Sequence, residues 1–365
     1  YMSVKQKGNS DNESANASMS VRTGRECFRA LSMPEAVTLA SGVYRVRASV
    51  PSRSKATADM VQTDEAFWTI FSFHFLSGEA FTKADCDAGL TRAVLDATTA
   101  RRLFGTTDAV GHTVQLDYVD YTVAGVVADV SMLATAAYAQ IWVPYTAAGA
   151  EAMSWQNDTM GPMHAIILAR SSADFDAIRE ETELLRKKYN DGLQDVEVFY
   201  RGQPDTQLAY LYRRWYAEPD VPGVMLRYAI VVIILLLVPA VNLSGMTLSR
   251  MRRRMAEIGV RKAFGATGGE LMRQVFFENL VLTLLAGIVG LALSYVATFA
   301  LNGFLFSNSM NASLSGETAL TPGMLLSPWA FIAAFAFCLL MNILSAGIPA
   351  WRASRMNITD AINQR

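Results

Sequence analysis

The residue types that usually carry catalysis or bind metals do not come together in this 365-residue sequence. Its three histidines, His74, His112 and His164, are far apart and have no metal-ligand spacing. The three cysteines form neither a metal motif nor a disulfide framework, although a Cys27–Cys86 bridge stays open in an oxidising compartment. We find no nucleophile-elbow, zinc-protease or phosphate-loop motif. The sequence therefore predicts that the chain is not an enzyme and has no metal site.

The sequence does contain one segment in which charged residues are concentrated. Residues 250–273, which lie between two long apolar runs, contain seven basic residues against two acids, Glu257 and Glu270. The basic residues are Arg250, Arg252, Arg253, Arg254, Arg261, Lys262 and Arg273. Such an excess close to membrane-spanning ends marks a cytoplasmic loop. The net charge of the whole chain is only −1, so we expect no nucleic-acid partner.

The elements that must position this loop are three uncharged or nearly uncharged runs, each long enough to cross a hydrocarbon core of about 30 Å. They are residues 228–248, 275–302 and 329–350. The 303–328 loop has no Lys or Arg, whereas the C-terminal tail carries three arginines. The charge pattern thus places the 249–274 loop and the C-terminus in the cytoplasm, and residues 1–222 and the 303–328 loop outside. Since three spans give residues 1–222 no route outward, a fourth span before Tyr1 is predicted.

The basic loop also carries signals for a helix–turn–helix elbow. Helical spacing puts Met251, Met255, Ile258 and Lys262 on one face, and the helix would lie along the membrane surface. We assign to that membrane surface the arginines Arg250, Arg252, Arg253 and Arg254. Two interpretations stay open: a loop that only sets the topology, or a docking surface through which a cytosolic partner moves the helices.

Sequence signals define the turn of the elbow and the start of its second helix more clearly than the start of its first helix. Gly265 is placed to stop the first helix, because glycine suits the position after a helix end. Thr267 and Glu270 have the spacing of a capping box, which starts the next helix. This second helix is expected to run through Glu278 into the second span.

Residues 1–222 have the mixed composition of an α+β domain. Strands are predicted at 43–50, 141–143, 164–168 and 196–200, a strand, a helix and two further strands at 93–130, and a helix at 174–189. The first twenty residues indicate a flexible segment or a peripheral strand rather than core, and Thr23 with Glu26 indicates a helix start. His74 and His164 lie in apolar runs and are predicted to be buried. The aromatic run at 64–75 indicates either core packing or an apolar substrate surface.

The sequence at the elbow resembles a known family. EIGVRKAFGATGGEL followed by FFENLVLTLLAGIVGLALSY is similar to the cytoplasmic loop and next span of MacB/FtsX-type ABC transporter permeases. The matching residues are Glu257, Ile258, Gly259, Arg261, Lys262, Ala263, Gly265, Ala266, Thr267 and Glu278. The C-terminal IPAWRASRMNITDAI resembles the family's ending, with Ile358 near a position where the family often has proline. Residues 67–85 and 93–130 resemble the periplasmic core domain of the MacB branch, so the likeness covers most of residues 60–365. The positions that match this domain are Phe104, Gly105, Asp108, Gly111, Gly125, Val126 and Val127.

This resemblance implies a multi-pass permease of a bacterial inner membrane with four spans per subunit, the first of which is absent here. It implies a homodimer or a heterodimer with another permease, driven by a cytosolic ABC-type ATPase. ATP would then bind to that partner or to a lost N-terminal part, and this chain would carry no cofactor. The residues implied to contact the ATPase are Glu257, Ile258, Gly259, Arg261, Lys262, Ala263, Gly265, Ala266 and Thr267. The resemblance also leaves room for a periplasmic or outer-membrane partner.

The expected architecture is an α+β extracytoplasmic domain at residues 1–222 followed by an all-α transmembrane domain at residues 223–365. The expected function is export or extrusion of peptides, drugs or lipoproteins, in which ATP hydrolysis moves the periplasmic domain through the membrane helices. The alternative is a signalling or scaffold subunit that regulates a periplasmic partner such as a cell-wall hydrolase. The length of residues 1–222 favours the exporter, because the division-associated branch has a smaller external domain.

Overall fold

The computed structural model describes residues 2–10, 14–51, 54–132, 134–213, 217–238, 260–261, 264–300, 329 and 331–341. The described chain divides into two compact units, the first ending at Val221 and the second beginning at Pro222. The first unit mixes strands and helices, and the described part of the second unit is helical.

Twelve strands and six helices are described in the first unit, and three helices are described from Val221 onward. The strands are β1 Met2–Gln6, β2 Ala15–Ala17, β3 Ala36–Ser41, β4 Tyr44–Val50, β5 Ser54–Thr63, β6 Phe75–Gly78, β7 Arg92–Asp96, β8 Thr113–Leu116, β9 Val119–Val127, β10 Ile141–Pro144, β11 Met163–Leu168 and β12 Val196–Phe199. The helices are α1 Val21–Gly24, which continues as a π-helical turn Arg25–Arg29, α2 Phe67–Ile70, α3 Lys83–Asp87, α4 Ala97–Phe104, α5 Phe175–Asp191, α6 Gln207–Tyr212, α7 Val221–Val238, α8 Gly268–Ala300 and α9 Phe331–Met341. Three short 3-10 or π segments, including Ala150–Met153 and Ser172–Asp174, connect them.

A closed ring of strands forms the centre of the first unit. Seven strands pair in the order β6-β9-β7-β10-β5-β4-β8, and β8 also pairs with β9, so six of them close on themselves. Alternate residues of these strands enter one core with α4; Leu95 and Ile141 are fully buried there. Because side chains alternate along a strand, their neighbours Val94 and Trp142 belong to a second core on the other face. Closure removes the exposed strand edges that would otherwise invite aggregation.

The aromatic run of the sequence covers that second face. Phe67, Phe81 and Trp142 are buried, and Trp68 makes edge-to-face contacts with Phe81 and Trp142 at centroid distances of 5.3 and 6.0 Å. The closely interlocked rings favour the packing interpretation over an apolar substrate surface. The Phe75–Gly78 strand that follows the run pairs with β9.

Close backbone approach explains a glycine pair at that junction. Gly78 lies opposite Gly125 in the β6–β9 register and has φ of 65°. A Cβ on Gly125 would lie 2.6 Å from the carbonyl oxygen of Glu79, and one on Gly78 would lie 2.2 Å from that of Ala124. Only glycine permits this approach of two backbones. Gly125 is one of the residues that carry the resemblance.

The remaining elements of the first unit pack beside the ring. One small sheet has the order β12-β1-β2, and another pairs β11 with β3; α1 and α5 pack against them. Met2 and Val4 of β1 are 1% exposed and belong to the core of this layer. The segment does form strands, β1 and β2, as one of the two predicted alternatives has it. The prediction that it lies outside the core is wrong, since two apolar residues at strand spacing suffice to anchor a polar segment.

One buried carboxylate joins this layer to the ring. Asp64, at the end of β5, is 1% exposed. It accepts hydrogen bonds from the Thr38 hydroxyl at 2.6 Å, the Leu39 amide at 3.1 Å and the Ala66 amide at 3.1 Å, and Arg29 lies 3.7 Å away. Burial raises the pKa of Asp64, and the charge of Arg29 opposes that rise. The interaction fixes β3 against β5 and makes the domain one body.

Two local predictions are corrected by the structure. Ser20, and not Thr23, caps α1, and its hydroxyl accepts from the Thr23 amide at 3.1 Å. The Thr23 hydroxyl is instead buried and donates to Thr159 O at 2.8 Å, while Glu26 binds Arg22. His74 is exposed, contrary to the prediction of a core position, because it lies on the solvent side of the turn after α2.

The cysteines are found apart. Cys27 and Cys86 are both buried and unpaired, and they belong to two different cores. Burial raises the pKa of the Cys27 thiol to about 11 and that of the Cys86 thiol to about 12. The bridge that the sequence left open is therefore not formed in this structure.

Two described helices are long and apolar enough to cross a membrane, namely Val221–Val238 and the Phe276–Ala297 part of α8. The first begins seven residues before the predicted start at 228. The third predicted span is represented by Phe331–Met341, and the rest of it lies outside the described residues. Pro239 and the 303–328 loop also lie outside them.

His164 provides a test of the packing around β11. Its ring lies 3.1 Å from the Ser18 hydroxyl, and burial lowers its pKa to about 4. Between pH 6.5 and 4 the unfolded chain takes up a proton on this residue and the folded chain does not, so folding weakens as the pH falls. We expect this residue to contribute a loss of at most about 3 kcal/mol between pH 7 and pH 4.

The measurement is urea unfolding of residues 1–222 at several pH values for the natural sequence and for His164→Gln. Asp96 acts in the opposite direction, because burial raises its pKa to about 6 and its carboxyl holds a proton in the folded state at pH values where the unfolded chain has lost it. Comparison with the variant cancels that contribution. The stability gap between the two proteins should shift in favour of His164→Gln as the pH falls, and a constant gap would contradict a buried neutral ring.

Candidate functional site

The described part of the predicted elbow ends its first helix in a defined way. Val260 and Arg261 are helical. The Phe264 amide donates to Val260 O at 3.1 Å, and the Ala266 amide donates to Arg261 O at 3.0 Å. Gly265 between them has φ of 95°. This pattern, with a bond that spans five residues over a left-handed glycine, is the Schellman ending, so the prediction that Gly265 stops the helix is confirmed.

The second helix starts directly afterwards with a reciprocal cap. The Glu270 amide donates to the Thr267 hydroxyl at 3.3 Å, and the Thr267 amide donates to a Glu270 carboxylate oxygen at 3.0 Å. These bonds lower the pKa of Glu270. The predicted capping box is therefore confirmed, and α8 begins at Gly268.

A side-chain bond crosses the elbow from one helix to the other. Arg261 donates to the amide oxygen of Gln274 at 2.7 Å. Together with the cap, this contact defines the angle between the end of the first helix and the start of α8. The turn is thus built from specific bonds over residues 260–274.

The outer side of the elbow is apolar. Phe264 is 88% exposed, and Val260, one helical turn earlier, is 49% exposed. Aromatic residues are enriched in protein interfaces, so an exposed ring beside a hydrogen-bonded turn is a candidate anchor residue. Phe264 was missing from the predicted contact residues. Its position beside the helix-stopping Gly265, within a basic segment, is the signal that could have found it.

Most of the predicted contact residues cannot be placed. Glu257, Ile258, Gly259, Lys262 and Ala263 lie outside the described residues. The same holds for Arg250, Arg252, Arg253 and Arg254, which were assigned to the membrane surface. The structure brings together the remaining four: Arg261, Gly265, Ala266 and Thr267.

The arrangement suits binding and positioning of another protein. Its donors and acceptors are engaged in the turn itself, and what it offers outward is the ring of Phe264 beside charged helix ends. Over the described ranges of the chain, no cluster of three His, Cys, Asp or Glu side chains could hold a metal ion.

Replacement of Gly265 tests whether the elbow depends on its left-handed residue. A Cβ at this φ costs about 1–2 kcal/mol, so Gly265→Val should loosen the turn. We expect faster amide hydrogen exchange at residues 264–270 in the purified protein. The control is Gly269→Ala, since Gly269 lies inside the first turn of α8 with open space around its Cα and should tolerate a methyl group. Equal exchange in both variants would show that the turn does not depend on Gly265.

Comparison with known protein families gives two matches that cover the two parts of the chain. The model of the MacB-like periplasmic core domain matches residues 2–185, and that of the FtsX-like permease C-terminal region matches residues 229–358. The second match includes the whole elbow.

Similar proteins include the macrolide export ATP-binding/permease protein MacB of Escherichia coli strain K12, which is 26% identical over 314 residues. MacB of Chromobacterium violaceum is 25% identical over 307 residues. In both cases the alignment covers 84% of this chain and 43% of the relative, so the chain spans less than half the length of the curated relatives it matches.

Solved structures with some similarity include the periplasmic region of MacB from Actinobacillus actinomycetemcomitans, with 18% identity and a TM-score of 0.39 over 54% of this chain and 87% of that one. Another is the extracellular domain of the noncanonic ABC-type transporter YknZ from Gram-positive bacteria, with 16% identity and a TM-score of 0.38 over 55% of this chain and all of that one.

Proposed function

The chain belongs to the family of permeases that combine a MacB-like periplasmic core domain with an FtsX-like C-terminal permease region, and we propose that it is the membrane subunit of an ABC exporter. Its cytoplasmic elbow would receive movement from an ATPase, and its periplasmic domain would deliver that movement to a substrate. The observation that carries the proposal is the rigid elbow with its exposed Phe264 at the foot of an apolar helix.

The elbow is suited to transmit a force from a partner to α8, because several hydrogen bonds oppose bending of its turn. A Schellman ending, a capping box and the Arg261–Gln274 bond connect its two helices within fifteen residues. A partner that binds Phe264 therefore acts on α8 through a stiff turn. Residues Glu257, Ile258, Gly259, Lys262 and Ala263 precede or adjoin this turn, and we assign them to the same contact.

The periplasmic domain is suited to act as one moving body. The closed strand ring cannot slip in register without breaking its closure, and the buried Asp64 ties the neighbouring layer to it. A displacement applied at one end of this domain is thus passed to the other end. Peptides, drugs or lipoproteins are the substrate classes that we propose for it.

ATP binding is assigned to another chain or another segment. The relatives' names include an ATP-binding function, and this chain aligns with 43% of their length. We propose a homodimer or a heterodimer of permease subunits with a cytosolic ABC-type ATPase, and a periplasmic or outer-membrane partner. The C-terminus is placed in the cytoplasm by the charge pattern of the sequence.

Phe264→Ala tests the elbow as a docking point. Loss of a central aromatic anchor from a protein interface costs about 2 kcal/mol or more, so binding of the ATPase should weaken at least about 30-fold. The measurement is co-purification and affinity of the full-length protein with the ATPases encoded beside it. The control is Trp155→Ala, which removes a half-exposed aromatic ring from the periplasmic domain and should leave the affinity unchanged.

Two results would contradict these proposals. If Phe264→Ala binds the ATPase as tightly as the natural protein while both are well folded, the ring is not an anchor. If the natural protein binds no ATPase, the exporter proposal itself fails and the scaffold function becomes the better account.

Two substitutions outside the described residues test the rest of the contact. Glu257→Lys reverses a charge, and Gly259→Trp adds bulk where the family has glycine. Both should abolish coupling between ATP hydrolysis and transport while membrane insertion and folding persist. Transport at the natural rate in either variant would refute the docking role of these residues.

Substrate dependence separates the two functions. An exporter should hydrolyse ATP faster when its substrate is present, because the substrate stabilises a state on the transport cycle. A scaffold subunit should instead respond only to its periplasmic hydrolase partner. The measurement is the ATPase rate of the reconstituted complex with peptide, drug and lipoprotein candidates.

A further inference from the structure

A short helix near the end of the periplasmic domain is held by an unusually buried ion pair. Asp205 comes two residues before α6, and Arg213 follows its last residue. The Arg213 side chain is 1% exposed and that of Asp205 is 8% exposed. The guanidinium binds both carboxylate oxygens: Nε donates to Oδ2, and Nη2 donates to Oδ1 at 2.8 Å. The pair therefore joins the two ends of α6 like a clasp.

The same arginine fastens the chain on either side. Arg213 donates to Arg201 O at 3.2 Å and to Ala217 O at 3.1 Å. Pro204 O in turn accepts from Arg179 of α5 at 3.2 Å. The helix is thus held in one orientation against the body of the domain by charge-assisted bonds, which are among the stronger hydrogen bonds in proteins.

The helix that this ion pair holds, α6, exposes large apolar side chains. Leu208 is 45% exposed, Tyr210 is 50% exposed and Leu211 is 60% exposed. Leu208 and Leu211 are three residues apart and share a helix face. Burying an ion pair costs free energy, and so does exposing large apolar side chains to water. The arrangement is favourable if another apolar phase receives the exposed side chains.

The position of α6 in the chain indicates that this apolar phase is the membrane. Only eight residues separate Tyr212 from Val221, where the first described apolar helix begins, and they reach about 30 Å at most when extended. The same stretch, residues 210–216, contains four aromatic residues and two arginines. Tyr, Trp and Arg side chains next to a spanning helix are typical of the membrane–water interface.

We propose that α6 is a membrane-interface foot of the periplasmic domain. Leu208 and Leu211, which share one helix face, enter the headgroup region of the bilayer that α7 crosses, and the Arg213–Asp205 pair holds the helix at the angle that this contact needs. The inference rests on the membrane placement in the proposed function and is independent of the ATPase and of the substrate.

The test is lipid contact at single positions of the full-length protein. Leu208→Cys and Leu211→Cys, each in a Cys338→Ser background, are labelled with a fluorophore and reconstituted into phosphatidylcholine–phosphatidylglycerol vesicles with acyl chains brominated near the headgroup. Cys27 and Cys86 are buried and should not be labelled. The control is Val119→Cys in the strand ring, because Val119 and Leu208 are both 45% exposed.

We expect lipid quenching at 208 and 211 to be at least threefold stronger than at 119. Equal quenching at the three positions overturns the proposal. So does a label at 211 that is shielded from aqueous iodide without being quenched by lipid, or that cross-links to a second copy, since a protein would then cover α6.

A second variant tests the clasp itself. Arg213→Met combined with Asp205→Leu removes both charges and leaves no buried charge without a partner. Quenching at 211 should fall toward the level at 119, and unchanged quenching would show that the pair does not position α6. If the natural protein is released from membranes by carbonate, the proposed function fails as well; if it stays integrated but 211 is not quenched, only this inference fails.

Discussion

The central physical constraint on this chain is that a turn between two helices must provide partners for backbone groups that the helix ends leave without intrahelical bonds. In the elbow, the Arg261 carbonyl accepts from the Ala266 amide, and the Thr267 hydroxyl accepts from the Glu270 amide. Gly265 closes the first helix, and the Thr267–Glu270 exchange opens the second. These bonds are local to the turn, and the Phe264 ring is exposed beside them.

The periplasmic domain meets a comparable demand with different means. Its strand ring is closed, and the buried Asp64 carboxylate holds β3 and β5 together through hydroxyl and amide donors. Aromatic rings fill the outer face around Trp142. A locally hydrogen-bonded turn and a closely packed domain fit the proposal that the subunit passes movement rather than molecules through the membrane.

Much of this could be read from the sequence where the signal is local. Alternation predicted β4, β8 and β9, and helical spacing predicted α5. The elbow's helix stop and capping box were predicted from Gly265, Thr267 and Glu270. What failed depends on distant contacts. Ser20 displaced Thr23 as the cap because Thr23 is drawn into bonds with the chain near residue 159, and β1 enters the core by pairing with β12, almost two hundred residues away. The Arg213–Asp205 pair could not be predicted either, because no spacing rule identifies an ion pair whose strength depends on its burial.

The most direct test of the account is a photo-cross-linking amino acid placed at position 264 of the full-length protein in its native membrane. The account predicts a cross-link from position 264 to an ABC-type ATPase, and none to that protein from position 155 in the periplasmic domain. A cross-link from 264 only to lipid, or to no protein at all in cells that contain the ATPase, would contradict the claim that the elbow is where the chain receives its movement.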